Sequence, residues 1–214
     1  MLVRSVLLKL NQQKIKNLSD KYFKENLDEK IFIICHLFFL SIINLYCVKP
    51  VQAASENQPK ILIAYYSYTG NTHKIAKVIQ EKTGGDLFEI QTVESYPAEY
   101  EKMALQAKLK LANNINPKLK AKVENIAYYD VVFIGSPNWW GNIAPAVSSF
   151  MAENDFKNKK VIPFITHGGR GEQNTINGMK KKCVECNFIS KGYISYRGRT
   201  WGINRWIEKA SALR

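Results

Sequence analysis

Histidine and cysteine are scarce in this chain, three and four residues respectively out of 214. Cys35 and Cys47 lie within one apolar run, and no second Cys/His pair has the spacing to join Cys183 and Cys186 as zinc ligands, so no metal site is expected. Gly-x-Gly-x-x-Gly is missing, and so is any Gly-Lys-Ser/Thr ending to a glycine-rich loop. Those absences exclude the usual dinucleotide fingerprint and the nucleoside-triphosphate loop. Acidic residues are also few: 18 Asp and Glu stand against 31 Lys and Arg, a net charge of +13. The lysines are scattered over Lys74 to Lys122, Lys157 to Lys160 and Lys180 to Lys182 without a recognition motif, which reads as a solvated basic surface with no nucleic-acid partner. Neither an internal repeat nor a second domain is visible.

Present at the N-terminus is a lysine-rich stretch, then the 18-residue run Ile31 to Val48, then Val51-Gln52-Ala53. Basic, apolar and small-x-small segments in that order read as a secretory signal ending at Ala53. A run of that length also stands near the lower limit for a bilayer span, so residues 1–53 are a signal peptide or an uncleaved membrane anchor. Either way the remainder is expected to be exported: periplasmic, extracellular or held on the outer face of the cytoplasmic membrane. No twin-arginine pair precedes the run, since Arg4 stands alone, which favours export unfolded. Tyr46 occupies the place before Cys47 where a lipoprotein signal needs a small residue. From Ala54 onward 23 Lys and Arg face 14 Asp and Glu, a net of +9.

After a polar lead-in over 54–59, apolar runs and helical periodicities alternate. Ile61 to Tyr66 is a continuous apolar and aromatic run, as in a parallel strand covered on both faces. Ile75, Ala76 and Ile79 then recur at helical spacing and stop at Gly84-Gly85. Asp86 to Thr92 reads as a second strand, and a helix is expected from Tyr96-Pro97 with Tyr100, Met103, Ala104, Ala107 and Leu111 on one face. Tyr129 to Gly135 is a third strand, followed by a helix marked by Ile143, Val147, Phe150 and Met151. Lys160 to Thr166 is a fourth strand, followed by a helix from about Gln173 to Lys182. Phe188 to Tyr196 is a fifth, and Trp206, Ile207, Ala210 and Leu213 mark the last helix. Such alternation specifies an α/β fold, a doubly wound five-stranded parallel sheet spanning residues 60–214. Cys183-Val184-Glu185-Cys186 follows three lysines near a helix C-terminus, away from the dipole that would stabilise a thiolate. It is therefore a structural bridge or two unremarkable cysteines rather than a catalytic dithiol.

Ligands of such sheets bind outside the C-terminal strand ends. Three loops with distinctive chemistry leave those ends. Ser67, Tyr68, Thr69, Gly70, Asn71 and Thr72 supply neutral donors where the first helical N–H groups lack partners, a cradle for a phosphate dianion without a cation. Ser136, Pro137, Asn138, Trp139, Trp140 and Gly141 follow the third strand, and Thr166, His167, Gly168, Gly169 and Arg170 follow the fourth. His73 reads as a solvated first-turn residue.

The first of these motifs resembles the phosphate-binding signature of the flavodoxin family, and the other two are similar to the family's ring-covering and ring-edge loops, in the same order. The resemblance implies a strand order of 2-1-3-4-5, the short-chain form without a long insertion in the fifth strand, and FMN held non-covalently by the 17 loop residues just named, with no catalytic residue of the protein's own. It also implies electron transfer between protein partners or to a small acceptor. A nicotinamide-dependent FMN quinone or azo-type oxidoreductase on the same fold is the alternative. Which of Trp139 and Trp140 stacks on the flavin is left open; an indole face there disfavours added negative charge. A flavin gains negative charge on reduction, so His167 or Arg170 nearby is expected to raise its potential. Relatives usually carry a smaller polar residue where Arg170 stands, and a solvent-facing loop arginine is the other reading. Electron carriers of this family are acidic, whereas this chain is basic, so a partner protein is expected to offer an acidic face.

Overall fold

A computed structural model describes residues 13–17, 20–21 and 58–212. The chain divides into two units, Met1–Glu56 and Asn57–Arg214. In the first, residues 13–17 and 20–21 are helical and exposed; the expected signal or anchor and its apolar run lie outside the described residues, as does Leu213.

The second unit runs β1 (Ile61–Tyr65), α1 (Asn71–Thr83), β2 (Asp86–Glu89), α2 (Tyr100–Ala112), β3 (Val131–Trp139), β4 (Asn142–Ile143), α3 (Pro145–Glu153), β5 (Lys160–His167), α4 (Thr175–Lys182), β6 (Asn187–Phe188), β7 (Tyr193–Tyr196) and α5 (Ile203–Ala212). Its parallel sheet has the order β2-β1-β3-β5-β6, with β7 also parallel to β5. The expected order of five strands holds once β6 and β7 are counted as one interrupted strand.

The interruption has a local cause. Val161 pairs with Phe188 and Phe164 with Tyr193, so Ile162 and Pro163 face the longer stretch Ile189 to Gly192. Pro163 has no N–H to donate, and the neighbouring strand bulges past it.

Alternation along the central strands divides the core into two faces. Leu62 and Ala64, Val132 and Ile134, and Val161 and Ile165 pack with Val147, Phe150 and Met151 of α3 and Met179 of α4. Their sequence neighbours Ile63, Tyr65, Phe133, Ile162 and Phe164 pack with Ile75, Ala76 and Ile79 of α1 and Ile207 and Ala210 of α5. Apolar residues on both faces of every central strand are why these strands read as continuous runs rather than alternating ones.

Strand β2 ends at Glu89 rather than Thr92, Ile143 lies in β4 rather than in the helix that begins at Pro145, and two further elements differ from expectation. The helix expected from Tyr96-Pro97 begins at Tyr100. A residue before proline avoids helical torsions, and the Pro97 and Ala98 carbonyls accept hydrogen bonds from the Tyr68 hydroxyl at 2.6 and 3.0 Å. Strand β3 continues past Gly135 to Trp139 and turns back through Trp140 and Gly141 onto β4. Trp140 and Gly141 both have positive φ, 53° and 80°, the two-residue turn whose twist suits a hairpin. Cys183 and Cys186 are bridged, with Cα atoms 5.6 Å apart.

Candidate functional site

The sheet brings the three loops to one edge, and hydrogen bonds tie them together. The Thr72 and Thr166 hydroxyls, both buried, lie 2.8 Å apart and join the first loop to the third. Asn138 donates to the Gly171 carbonyl at 2.6 Å and to Gln173 Oε1 at 3.3 Å, and Asn174 N–H donates to the Gly141 carbonyl at 2.9 Å, joining the second loop to the third.

Within the first loop, Gly70 (φ 80°) precedes α1, and no side chain caps the helix. Thr69 Oγ1 accepts from Asn71 Nδ2 at 3.0 Å. Ser67 Oγ is buried and has no partner among the described residues. A loop with an uncapped helix start and an orphaned buried hydroxyl is arranged to receive an acceptor-rich group. Tyr68 directs its hydroxyl to residues 97 and 98, so this residue can serve the cradle through its backbone. His73 is exposed but not merely solvated, since its Nδ1 lies 2.7 Å from the hydroxyl of Tyr65. Burial, with Glu89 adding, pushes that phenol up to about 12.

The second loop divides by role. Ser136 is fully buried, donates to the Pro137 carbonyl at 2.8 Å and accepts from Ala144 N–H at 3.0 Å, which holds the hairpin against the start of α3. Pro137 is half-buried within β3 and paired with Thr166. Asn138 Oδ1 is buried without a partner among the described residues. Trp139 is half-buried amid three tyrosines, its ring centroid 5.4 Å from Tyr66, 6.1 Å from Tyr68 and 5.0 Å from Tyr96, all near-perpendicular. Trp140 is 56% exposed, donates its Nε1–H to the Ala104 carbonyl at 2.9 Å and carries the Lys108 ammonium 5.0 Å from its ring centroid.

The third loop is folded around its own histidine. Gly169 and Gly171 N–H groups both donate to His167 Nδ1 at 3.1 Å. That nitrogen is therefore unprotonated, and the neutral ring carries its hydrogen on Nε2. Burial holds the imidazole below its ordinary pKa, with Glu172 opposing. Gly168, Gly169 and Arg170 are exposed at the tip.

A cavity of ≈ 470 Å³ is lined by Asn138, Trp139, Trp140 and Gly141, by residues 167–170 and Gln173, and by Tyr100, Met103, Ala104 and Ala107 of α2. The first loop adjoins it through Tyr68, which packs on Trp139. A larger hollow of ≈ 990 Å³ lies among the end of α2, β4, α3 and α4 and holds none of the loop residues expected to bind a ligand. The smaller one is the candidate site, because the loops after β3 and β5 meet there and the first loop adjoins it. Among the described residues no group of three His, Cys, Asp or Glu side chains could hold a metal.

Three features of the site follow from no local pattern: the tyrosines around Trp139, the placement of α2 as a wall of the cavity, and Gln173. Burial raises the pKa of Tyr66, with Tyr96, Tyr68 and Glu89 adding, and brings Tyr96 to about 12, so both phenols stay neutral.

Known proteins resemble this chain in sequence and fold. A protein from Bacteroides eggerthii described as a flavoprotein is 31% identical, covers 72% of this chain and 99% of its own, and superposes with a TM-score of 0.64. A Lactobacillus acidophilus flavoprotein solved in complex with FMN shares the fold at 24% identity, covering 69% of this chain and 98% of its own with a TM-score of 0.57. An NAD(P)H dehydrogenase (quinone) from Caulobacter vibrioides is 34% identical over 94 residues, 42% of this chain and 44% of that one, so the match spans less than half of that relative. The sequence profile of the flavodoxin family matches residues 60–210, and this chain belongs to that family.

Proposed function

We propose that this chain is an FMN-binding redox protein that passes electrons between protein partners or to a small acceptor. The carrying observation is the first loop: an uncapped helix start beside the orphaned Ser67 hydroxyl, hydrogen-bonded through Thr72 to the loop that closes a cavity walled by tryptophan. FMN supplies the electron chemistry, taking up and releasing electrons at its ring. The protein binds, orients and shields it.

Ser67, Thr69, Asn71 and the backbone N–H groups of the first loop hold the phosphate, with the positive end of α1 behind them. Asn138 offers a buried carbonyl oxygen suited to a ring N–H, and the hairpin holding it is fixed by Ser136. Trp140, whose ring is more than half exposed, is the better candidate for stacking. Trp139 is already packed by three tyrosines and acts as the frame. His167, neutral and engaged at Nδ1, shapes the third loop rather than supplying charge, so Arg170 is the cation at the ring edge.

A second reading, an NAD(P)H-dependent quinone or azo-type reductase, is favoured by the Caulobacter relative and by the openness of the Trp140 side of the cavity. The excess of basic residues suits an acidic partner face, and the basic-then-apolar N-terminal segment supports export or anchoring outside the cytoplasm. The test is to purify the chain and add FMN. A yellow protein releasing intact FMN on denaturation is expected, and a protein that retains no FMN overturns both redox readings. Steady oxidation of NADH or NADPH with quinones then separates reductase from carrier.

A further inference from the structure

We propose that the turn after β7 is a cationic fourth wall of the cradle, in which Arg197 and Arg199 recognise the phosphate dianion of the cofactor. The inference rests on the FMN reading and departs from a neutral cradle. Tyr196 to Arg199 is a tight turn: Arg197 and Gly198 have φ of 50° and 71°, and Arg199 N–H donates to the Tyr196 carbonyl at 3.1 Å. Its tip touches the first residue of α1. A Cβ placed on Gly198 would lie 3.1 Å from Asn71 Oδ1 and 3.2 Å from the Asn71 carbonyl oxygen, so the turn backbone is packed against the cradle itself.

The turn is also held in place from below. Arg197 N–H donates to the His167 carbonyl at 3.0 Å. The Arg199 carbonyl accepts from Ser195 Oγ at 2.8 Å and from the Tyr193 hydroxyl at 3.0 Å, and the same hydroxyl reaches the Trp201 carbonyl at 3.0 Å. Both guanidiniums lie beside the Tyr196 ring, 5.2 and 5.1 Å from its centroid, and Arg199 is also 5.2 Å from the Trp201 ring. Neither is paired with a carboxylate among the described residues. Two cations flanking a glycine that touches Asn71 are thus attached to a fixed backbone with their hydrogen-bond forks available. A rotamer change would bring these forks toward a phosphate held at the start of α1.

Paired titrations of the full chain with FMN and with riboflavin, which lacks the phosphate, test this directly. Arg197→Asn with Arg199→Gln keeps a residue tolerant of positive φ at the first position while removing both charges. FMN affinity is expected to fall about tenfold, the worth of a lost charge-assisted contact at a partly screened site, with riboflavin affinity changed less than about twofold. The Arg199→Gln single variant, which leaves the positive-φ pair intact, gives the same comparison if the pair folds poorly. A parallel loss of FMN and riboflavin makes the turn structural only and overturns the proposal, as does unchanged FMN affinity. Those outcomes leave the FMN reading standing. Binding of neither flavin by the unsubstituted chain overturns both.

Discussion

The first and third loops, joined through Thr72 and Thr166, have opposite hydrogen-bonding habits. Residues 67–72 leave a helix start uncapped and a serine hydroxyl buried without a partner. Residues 167–171 donate two backbone N–H groups to their own histidine, and the Gly171 carbonyl accepts from Asn138. One loop leaves hydrogen-bonding groups open; the other closes its own. On the proposed reading, the first would select a group bringing several acceptors and the third a flat group filling a preformed wall. Flavin variants that keep or lose the phosphate separate the two.

The largest expected effect breaks the comparison at the cradle. Ser67→Ala with Thr69→Ala removes two hydroxyls that would contact a charged group, each worth roughly 1.5 kcal/mol or more, so FMN affinity should fall about a hundredfold. Riboflavin, binding through the walls alone, should change less than about threefold. Fluorescence-quenching titrations measure both. If riboflavin falls as far as FMN, the cradle is not a phosphate site.

Next in size is the contrast between the tryptophans. Trp139→Ala empties the space among Tyr66, Tyr68 and Tyr96 and should cost about 2–3 kcal/mol of stability in urea, below the range for a fully buried indole because this one is half-buried. Trp140→Ala, at an exposed turn, should cost less than about 1 kcal/mol of stability yet weaken flavin binding about tenfold. A reversed pattern would make Trp139 the stacking ring.

Much of this was legible beforehand because it depends on local pattern. Continuous apolar runs at 61–66 and 160–166 specify buried strands, and a hydroxyl-rich loop between strand and helix specifies where an anion goes. What stayed hidden depends on distant partners. Nothing near Tyr68 announces that its hydroxyl serves carbonyls of residues 97 and 98, or that this delays α2 until Tyr100. The same holds for Thr72 meeting Thr166, and for Gly198 touching Asn71. Hydrophobic period reports which face is buried, not which side chain sits opposite.

His167 makes the comparison depend on pH. Its pKa is depressed in the folded protein, so the unfolded chain binds more protons in this range and stability rises with pH. The contribution is fully present above the ordinary value of 6.5 and is lost as pH falls through the lower folded value. Protonating Nδ1 sets an N–H against two N–H donors and should loosen the third loop while leaving the first intact. Riboflavin affinity should therefore weaken between neutral pH and pH 5, apart from any loss shared with His167→Asn. In that variant Oδ1 can accept in place of Nδ1 without titrating in this window, so the extra loss should vanish. Equal pH dependence in both proteins would locate the titrating group elsewhere.

The smallest effect belongs to Arg170, exposed at the tip of the third loop and lining the cavity. An exposed charge acts weakly because water and salt screen it, and comparable surface pairs are worth up to about 1 kcal/mol. Expressed as a redox potential for one electron, that is on the order of tens of millivolts. The sign is set by the chemistry: reduction adds negative charge, the guanidinium favours it, and Arg170→Ala should lower the potential. Rising salt should shrink the difference between the two proteins, since the interaction is screened over a Debye length of about 8–10 Å. The potentials of Ser67→Ala, by contrast, should stay near those of the unsubstituted protein, because the cradle anchors the far end of the cofactor from the ring. A potential unchanged by Arg170→Ala would take the arginine out of the site and leave the third loop as a wall of shape alone.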